Sequence, residues 1–266
     1  IYIIIDEREE RQEQIVRIAK TFGNGAHVFV PKEWVGEQLF LVRPKKKTLK
    51  EKILDVLDDY LDSIVGVYLY GSYARDEQVE DSDIDLFVMT DKKLKIRAKG
   101  FEIICLEQND LEKALKLEPL LMYSIFSEAK PIINARLLEE FKLKYKPKNI
   151  YFKEFFKDCK RIIKVNEEFL ETENEEYLKS EAIVYSLVLR LRGLFIIKSL
   201  LSGNKYSHKL FKSWVKSNLK DVDFNSIYEA YRLSKIDNKI IQKIKVEDIK
   251  RLMDFFKKEL SILENG

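Results

Sequence analysis

The residues best suited to chemistry lie in LYGSYARDEQVEDSDIDLFV, residues 69–88. Gly71 and Ser72 close one apolar run, and Asp83 and Asp85 stand one residue apart at the head of another. Strand side chains alternate between faces. Asp83 and Asp85 are therefore expected to share a face, roughly 7 Å apart, while Ile84, Leu86 and Val88 enter a core. Two carboxylates side by side repel unless a cation lies between them. Mg2+ suits such a pair, because it takes one or two carboxylates and completes its shell with substrate phosphates. Two-metal sites of this kind space their ions about 3.5–4 Å apart.

The Gly-Ser pair supplies the complementary half. A strand that ends at Gly71 and turns into a helix capped by Ser72 offers free backbone N–H groups and a hydroxyl to an anion. Gly71 lets a phosphate approach the backbone with no Cβ in the way. Arg75 adds a charge-assisted contact. A phosphate cradle beside metal carboxylates implies phosphoryl or nucleotidyl transfer. Taken alone the pieces are weak, since a Gly-Ser after a strand is most often a turn and DSDID, residues 81–85, reads equally as an acidic loop. An EF-hand is excluded, because its sixth position would be Leu86 and its twelfth Lys92. No GxxxxGK[ST] loop occurs, which excludes a P-loop enzyme.

The elements that must position these residues follow from periodicity. TLKEKILDVLDDYLDSI (48–64) carries apolar residues at helical spacing, with Thr48 and Glu51 placed as a capping box. VGVYLY (65–70), IDLFVM (84–89) and FEIICL (101–106) read as strands, and residues 111–133 as mainly helix until Pro131. From about residue 150 the pattern is helical throughout, with helices expected near 152–171, 175–202, 208–219, 224–234 and 246–263. At the N-terminal end, 15–23, 26–31 and 37–42 suit strands, with Gly23-Asn24-Gly25 as a turn and a short helical stub at PKEWVG. The expected architecture is an α/β (α+β) core at 44–148, a small β-rich unit at 1–43 and an all-α bundle at 149–266.

Composition sets the outer bounds. The 266 residues are 45% hydrophobic and 12% aromatic, enough for a substantial core. Lys+Arg 48 against Asp+Glu 45 leaves a net charge of +3, which names no partner. The two cysteines, Cys105 and Cys159, read as buried thiols in a reducing compartment. With only two histidines and no Cys-x-x-Cys, a zinc site is excluded. The opening IYIII is too short for a signal-peptide core and no run reaches membrane-spanning length, so a soluble, cytoplasmic protein is expected. Wealth in Lys, Glu and Ile hints at a thermophilic source.

Residues 69–88 resemble the signature of the DNA polymerase beta-type nucleotidyltransferase superfamily, most closely its small bacterial and archaeal members: a Gly-Ser followed about ten residues later by Asp-x-Asp. The likeness spans roughly residues 48–135. It implies a mixed sheet with flanking helices, an NTP such as ATP as donor and two Mg2+ ions. Gly71 and Ser72 would hold the triphosphate, with Asp83 and Asp85 as catalytic metal ligands. The superfamily uses a third carboxylate on a later strand. Glu102 in FEIICL is the candidate for that catalytic and metal-binding role; Glu107 and Asp110 lie beyond the strand and are poorer ones. The acceptor hydroxyl, on RNA, protein or a small molecule, is not specified. The rival is a non-catalytic regulator or antitoxin-type DNA-binding protein.

The flanks carry further resemblances. SLVLRLRGLFIIKSLLSGNKYSHKLFKSW (186–214) resembles HEPN-type helical bundles, and the departure at His208-Lys209-Leu210 from their Arg-x4–6-His-x-Tyr motif predicts no ribonuclease activity. His208 reads as a helix-start or surface residue. Between Glu181 and Asp221 no acidic residue occurs, while Arg190, Arg192, Lys198, Lys205, Lys209, Lys212, Lys216 and Lys220 do. That stretch reads either as a solvated basic face or as a wall for polyanions. Tyr151, Phe152, Phe155 and Phe156 read as core. Residues 20–42 are similar to AbrB-like swapped hairpins, which implies a homodimer; six Lys/Arg against seven Asp/Glu over 1–43 argue against DNA binding by that unit alone.

Overall fold

The computed structural model describes residues 15–42, 47–173, 175–178, 182–234 and 243–265. The opening IYIII and the boundary at Pro44 lie outside them. The chain divides into two compact units, Ile1–Lys47 and Thr48–Gly266.

In the first unit, β1 (Lys20–Phe22) and β2 (Gly25–His27) pair antiparallel, Phe22 opposite Gly25. The two-residue turn carries Gly23 at φ +54 in its first position, where a β-hairpin turn demands a residue free of Cβ strain. The expected strands at 15–23 and 26–31 shrink to three residues each, and 37–42 forms no strand. The physical reason is that so short a hairpin has no third strand and no apolar face to bury. Val16, Phe40, Leu41 and Val42 remain 80–93% exposed.

The second unit opens with α1 (Leu49–Leu57), whose capping box forms in both directions: Glu51 N–H donates to Thr48 Oγ1 at 3.2 Å, and Thr48 N–H to Glu51 Oε2 at 2.6 Å. A 3-10 stretch leads to β3 (Ile64–Tyr70), followed by a four-residue helix α2 (Gly71–Ala74), β4 (Ile84–Thr90) and β5 (Phe101–Glu107). The single helix expected after residue 111 is two, α3 (Leu111–Leu117) and α4 (Pro119–Glu128). Pro119 forces the break and starts α4, where its missing N–H costs nothing.

Next comes a strand that periodicity did not reveal, β6 (Lys130–Ile133). Pro131 is tolerated there because β6 lies at the sheet edge, in the order β5-β4-β3-β6. β4 runs antiparallel to β3 and parallel to β5, and β6 runs antiparallel to β3, so the sheet is mixed. Among the described residues six more α-helices follow: α5 (Ala135–Lys144), α6 (Lys153–Glu171), α7 (Ala182–Leu201), α8 (His208–Asn218), α9 (Phe224–Leu233) and α10 (Val246–Asn265). Of the helix expected from residue 175, the described residues show Ala182–Leu201. Within 175–178, Tyr177 instead bridges Lys245. None of the described helices is long and apolar enough to cross a membrane.

Strand alternation divides two cores. Val67, Leu69, Ile84, Leu86 and Val88 face α1 and the buried Ile96 of the β4–β5 crossover. Tyr68, Tyr70, Phe87 and Met89 face the other way, into a cluster that continues without a break through α4, α6, α7, α9 and α10. Phe152 and Phe156 are buried there as the sequence led us to expect, whereas Tyr151 is half exposed and stacks on Tyr123. Gly193, inside α7, leaves room for the Phe155 ring, which a Cβ would strike.

The core shared by one sheet face and the C-terminal helices predicts that sheet and helices unfold together. Phe152→Ala, which empties a fully buried position against Tyr123, should cost about 3–5 kcal/mol. Far-UV and near-UV circular dichroism should then report the same shifted midpoint. Two separated transitions would show that sheet and helices fold independently.

Candidate functional site

The Asp85 carboxylate organises the site. Strand register places Tyr70 of β3, Asp85 of β4 and Glu102 of β5 in one row across the sheet. At the end of that row β3 passes into Gly71, at φ +70, and a Cβ on Gly71 would overlap the Asp85 carboxylate. Only glycine satisfies both the left-handed backbone and this approach. The Ser72 backbone amide favours the charged form of the Asp85 carboxylate.

The surroundings oppose the charge on Asp85. Burial, then the neighbouring Glu102 and Glu128 charges, push its pKa up to about 6, against the pull of the Ser72 amide and Arg75. Tyr70, buried beside the same three carboxylates, is held protonated well above its ordinary range. Such a carboxylate gains from an added cation.

The other expected site residues fall as follows. Asp83 is exposed and precedes β4 instead of lying in it, so the two aspartates do not sit as a pair within one regular strand. Glu102 is exposed on the edge strand directly beside Asp85, whereas Glu107 ends β5 five rows away, opposite Thr90. Among the described residues no three His, Cys, Asp or Glu side chains form a group that could hold a metal ion. Asp83, Asp85 and Glu102 are thus not a preformed three-ligand cage. The all-oxygen set at Asp85 and Glu102 does fit Mg2+ in the mode that takes one or two carboxylates and leaves the remaining positions to substrate oxygens.

Ser72 is not an N-cap, since α2 begins at Gly71 with Tyr70 before it. One amide expected to be free is engaged: Gly71 N–H donates to Glu128 Oε1 at 2.9 Å. Arg75 does not project towards an open phosphate position. Its Nη1 donates to Glu128 Oε2 at 2.7 Å and its Nε to Glu77 Oε2 at 2.9 Å, and its guanidinium lies over the Tyr206 ring.

Glu128, only 8% exposed at its side chain, is the member of this network that the sequence did not mark. It lies 57 residues beyond Gly71, in the last turn of an apolar helix, where no local pattern announces it. Glu77 extends the same network into the helical region. It accepts the His208 N–H at 2.8 Å, and His208 Nδ1 lies 2.9 Å from both Tyr206 Oη and Tyr228 Oη.

The basic stretch is partly internal. Arg190 pairs with Asp158 at 3.2 Å, Arg192 donates to Tyr231 Oη at 3.2 Å, and Lys198 pairs with Glu259 at 2.9 Å.

The raised Asp85 pKa has a stability consequence. Its folded value of about 6 exceeds the unfolded value near 4, so ionisation disfavours the fold. The cost grows as pH rises through that window and persists above it. Without metal, Asp85→Asn should stabilise the protein by on the order of 2 kcal/mol at pH 7.5 and by nothing at pH 4. Urea melts at the two pH values check this, and a loss of stability at pH 7.5 would contradict it.

No curated protein matches the chain. Among solved structures, it is similar to a spectinomycin adenyltransferase, AAD(9), from Enterococcus faecialis, solved with ATP and spectinomycin. The identity is 16% and the TM-score 0.45, over 79% of this chain and 97% of that one. Residues 51–137, which hold Gly71, Ser72, Asp83, Asp85, Glu102 and Glu128, match the family model described as Polymerase beta, Nucleotidyltransferase.

Proposed function

We propose that the protein is a Mg2+-dependent nucleotidyltransferase that moves an NMP from an NTP to an acceptor hydroxyl. The observation that carries this reading is the row Asp85–Glu102 at the mouth of the Gly71 turn, inside the matched stretch. Asp83 and Asp85 are the metal ligands we assign, joined by Glu102. Divalent ions held there would neutralise the triphosphate and acidify the acceptor hydroxyl. Ser72 and the Gly71 backbone are assigned to the phosphates. Gly71 N–H already faces an anion, the Glu128 carboxylate, so phosphate binding there exchanges one oxygen acceptor for another. Glu102, exposed on an edge strand, is open to a second substrate and is assigned to take the acceptor's proton. The acceptor oxygen then bonds to the α-phosphorus, the bond to the β-phosphate bridge breaks, and pyrophosphate leaves.

We read residues 1–43 as an AbrB-like unit that pairs two copies into a homodimer, residues 44–148 as the transferase domain and residues 149–266 as a HEPN-like bundle. The exposed apolar residues of 15–42 support the first of these. Because that hairpin belongs to a separate compact unit, a regulatory reading also has an observation behind it, with residues 1–43 as the working part.

Calorimetric titration of each NTP, with Mg2+ and with EDTA, separates these readings. Binding of one or more NTPs that requires Mg2+ and falls at least tenfold in Asp83→Asn and Asp85→Asn is the expected result. Absence of NTP binding, with duplex DNA binding that survives both substitutions, would favour the regulator. Sedimentation should give a dimer, and removal of residues 1–47 a monomer.

A further inference from the structure

Lys209, Lys212 and Lys216 stand at i, i+3 and i+7 on α8, with Lys205 before the helix and Lys220 after it. This spacing makes one stripe. Lys205, Lys209, Lys216 and Lys220 are exposed and Lys212 is half-buried. The three earlier cations of the acid-free stretch are engaged within the helical region. These five, by contrast, enter no ion pair among the described residues. Asp223 is close enough to Lys216 to be influenced by it, yet its oxygens accept from Ser226 N–H and Oγ as a helix cap. A stripe of like charges repels itself, and a polyanion relieves that repulsion.

The first turn of α8 is also linked to the site. His208 N–H, the first of α8, donates to Glu77, which holds Arg75, which shares Glu128 with Gly71. Lys212 Nζ stands 4.1 Å over the Tyr228 ring, whose hydroxyl meets His208 Nδ1.

Resting on the transferase reading, we propose that the α8 lysines form the docking track for the acceptor, a single-stranded nucleic acid whose terminal hydroxyl enters the site at Asp85 and Glu102. From Lys209 to Lys216 the helix rises ~10 Å, about the length of three stacked nucleotides. Lysines act as point charges on phosphates and read no base. The rings beside the stripe, Phe211 and Tyr228, are buried, so no stacking platform accompanies it. Binding is therefore electrostatic, indifferent to sequence and steeply dependent on salt.

The test is fluorescence anisotropy of a labelled 12-mer RNA, its DNA counterpart and a poly-glutamate peptide, across a series of salt concentrations. The proteins are the full chain, Lys209→Glu/Lys216→Glu, and an equally charged control, Lys113→Glu/Lys116→Glu on α3, with Mg2+-NTP titrations alongside. The α8 variant should lose at least tenfold in nucleic-acid affinity, and its salt slope should flatten by roughly 1.4, while the control shifts less than twofold and NTP binding holds. Unchanged nucleic-acid binding in the α8 variant, or preference for the peptide, with NTP binding intact, would overturn the track and leave the transferase reading standing. Nucleic-acid binding through α8 in a chain that binds no NTP would overturn the acceptor role together with that reading.

Discussion

The site depends on one close approach, the Asp85 carboxylate resting on the backbone of Gly71. Everything nearby follows from it. A left-handed glycine at the end of β3 lets the chain turn into α2 without a Cβ, so the half-buried Asp85 carboxylate on β4 can lie against that turn. The same row extends sideways to Glu102 because β4 and β5 run parallel and in register. The result is a carboxylate whose charge is opposed by burial and by its neighbours, and folding leaves that opposition unrelieved. Unrelieved electrostatic cost at a defined point is a common mark of a binding site.

The helical region matters to this point for a packing reason and a polar one. The sheet face that carries Tyr70, Asp85, Phe87 and Met89 has no separate cover of its own. Its apolar residues join one cluster with the C-terminal helices. At the site end of that face, apolar packing gives way to the chain of ion pairs and hydrogen bonds from Gly71 through Glu128, Arg75 and Glu77 to His208. Moving α8 would therefore act on Arg75 through Glu77, and through Arg75 and Glu128 on the turn that receives Asp85. Buried polar networks of this type fix geometry more than they add stability.

Much of this was legible in the sequence where the signal is local. The capping box at Thr48, strands β3 to β5 and the later helices follow from periodicity within short windows; Gly71 and Asp85 stand out at the ends of two of those strands, and Glu102 enters through the family resemblance. What could not be read depends on distant partners. Glu128 and Arg75 meet across 53 residues, so Arg75 looked available to a phosphate when a carboxylate holds it. β6 is four residues with a proline, too short to show alternation, and exists because β3 offers it an edge. Asp83 was placed in a strand by parity alone, whereas β4 pairing begins one residue later. The strands expected within 15–42 are shortened or, at 37–42, absent for the opposite reason: the apolar pattern is present, but the hairpin supplies no third strand to pair with.

The most direct measurement is the titration of the Asp85 side-chain carboxyl by carbon-13 NMR, first without metal and then with Mg2+ and a non-hydrolysable NTP. The account predicts a midpoint near 6 in the metal-free protein, set by burial and Glu102, and a fall below 4 when both ligands are added. A midpoint near 4 that neither ligand moves would contradict it.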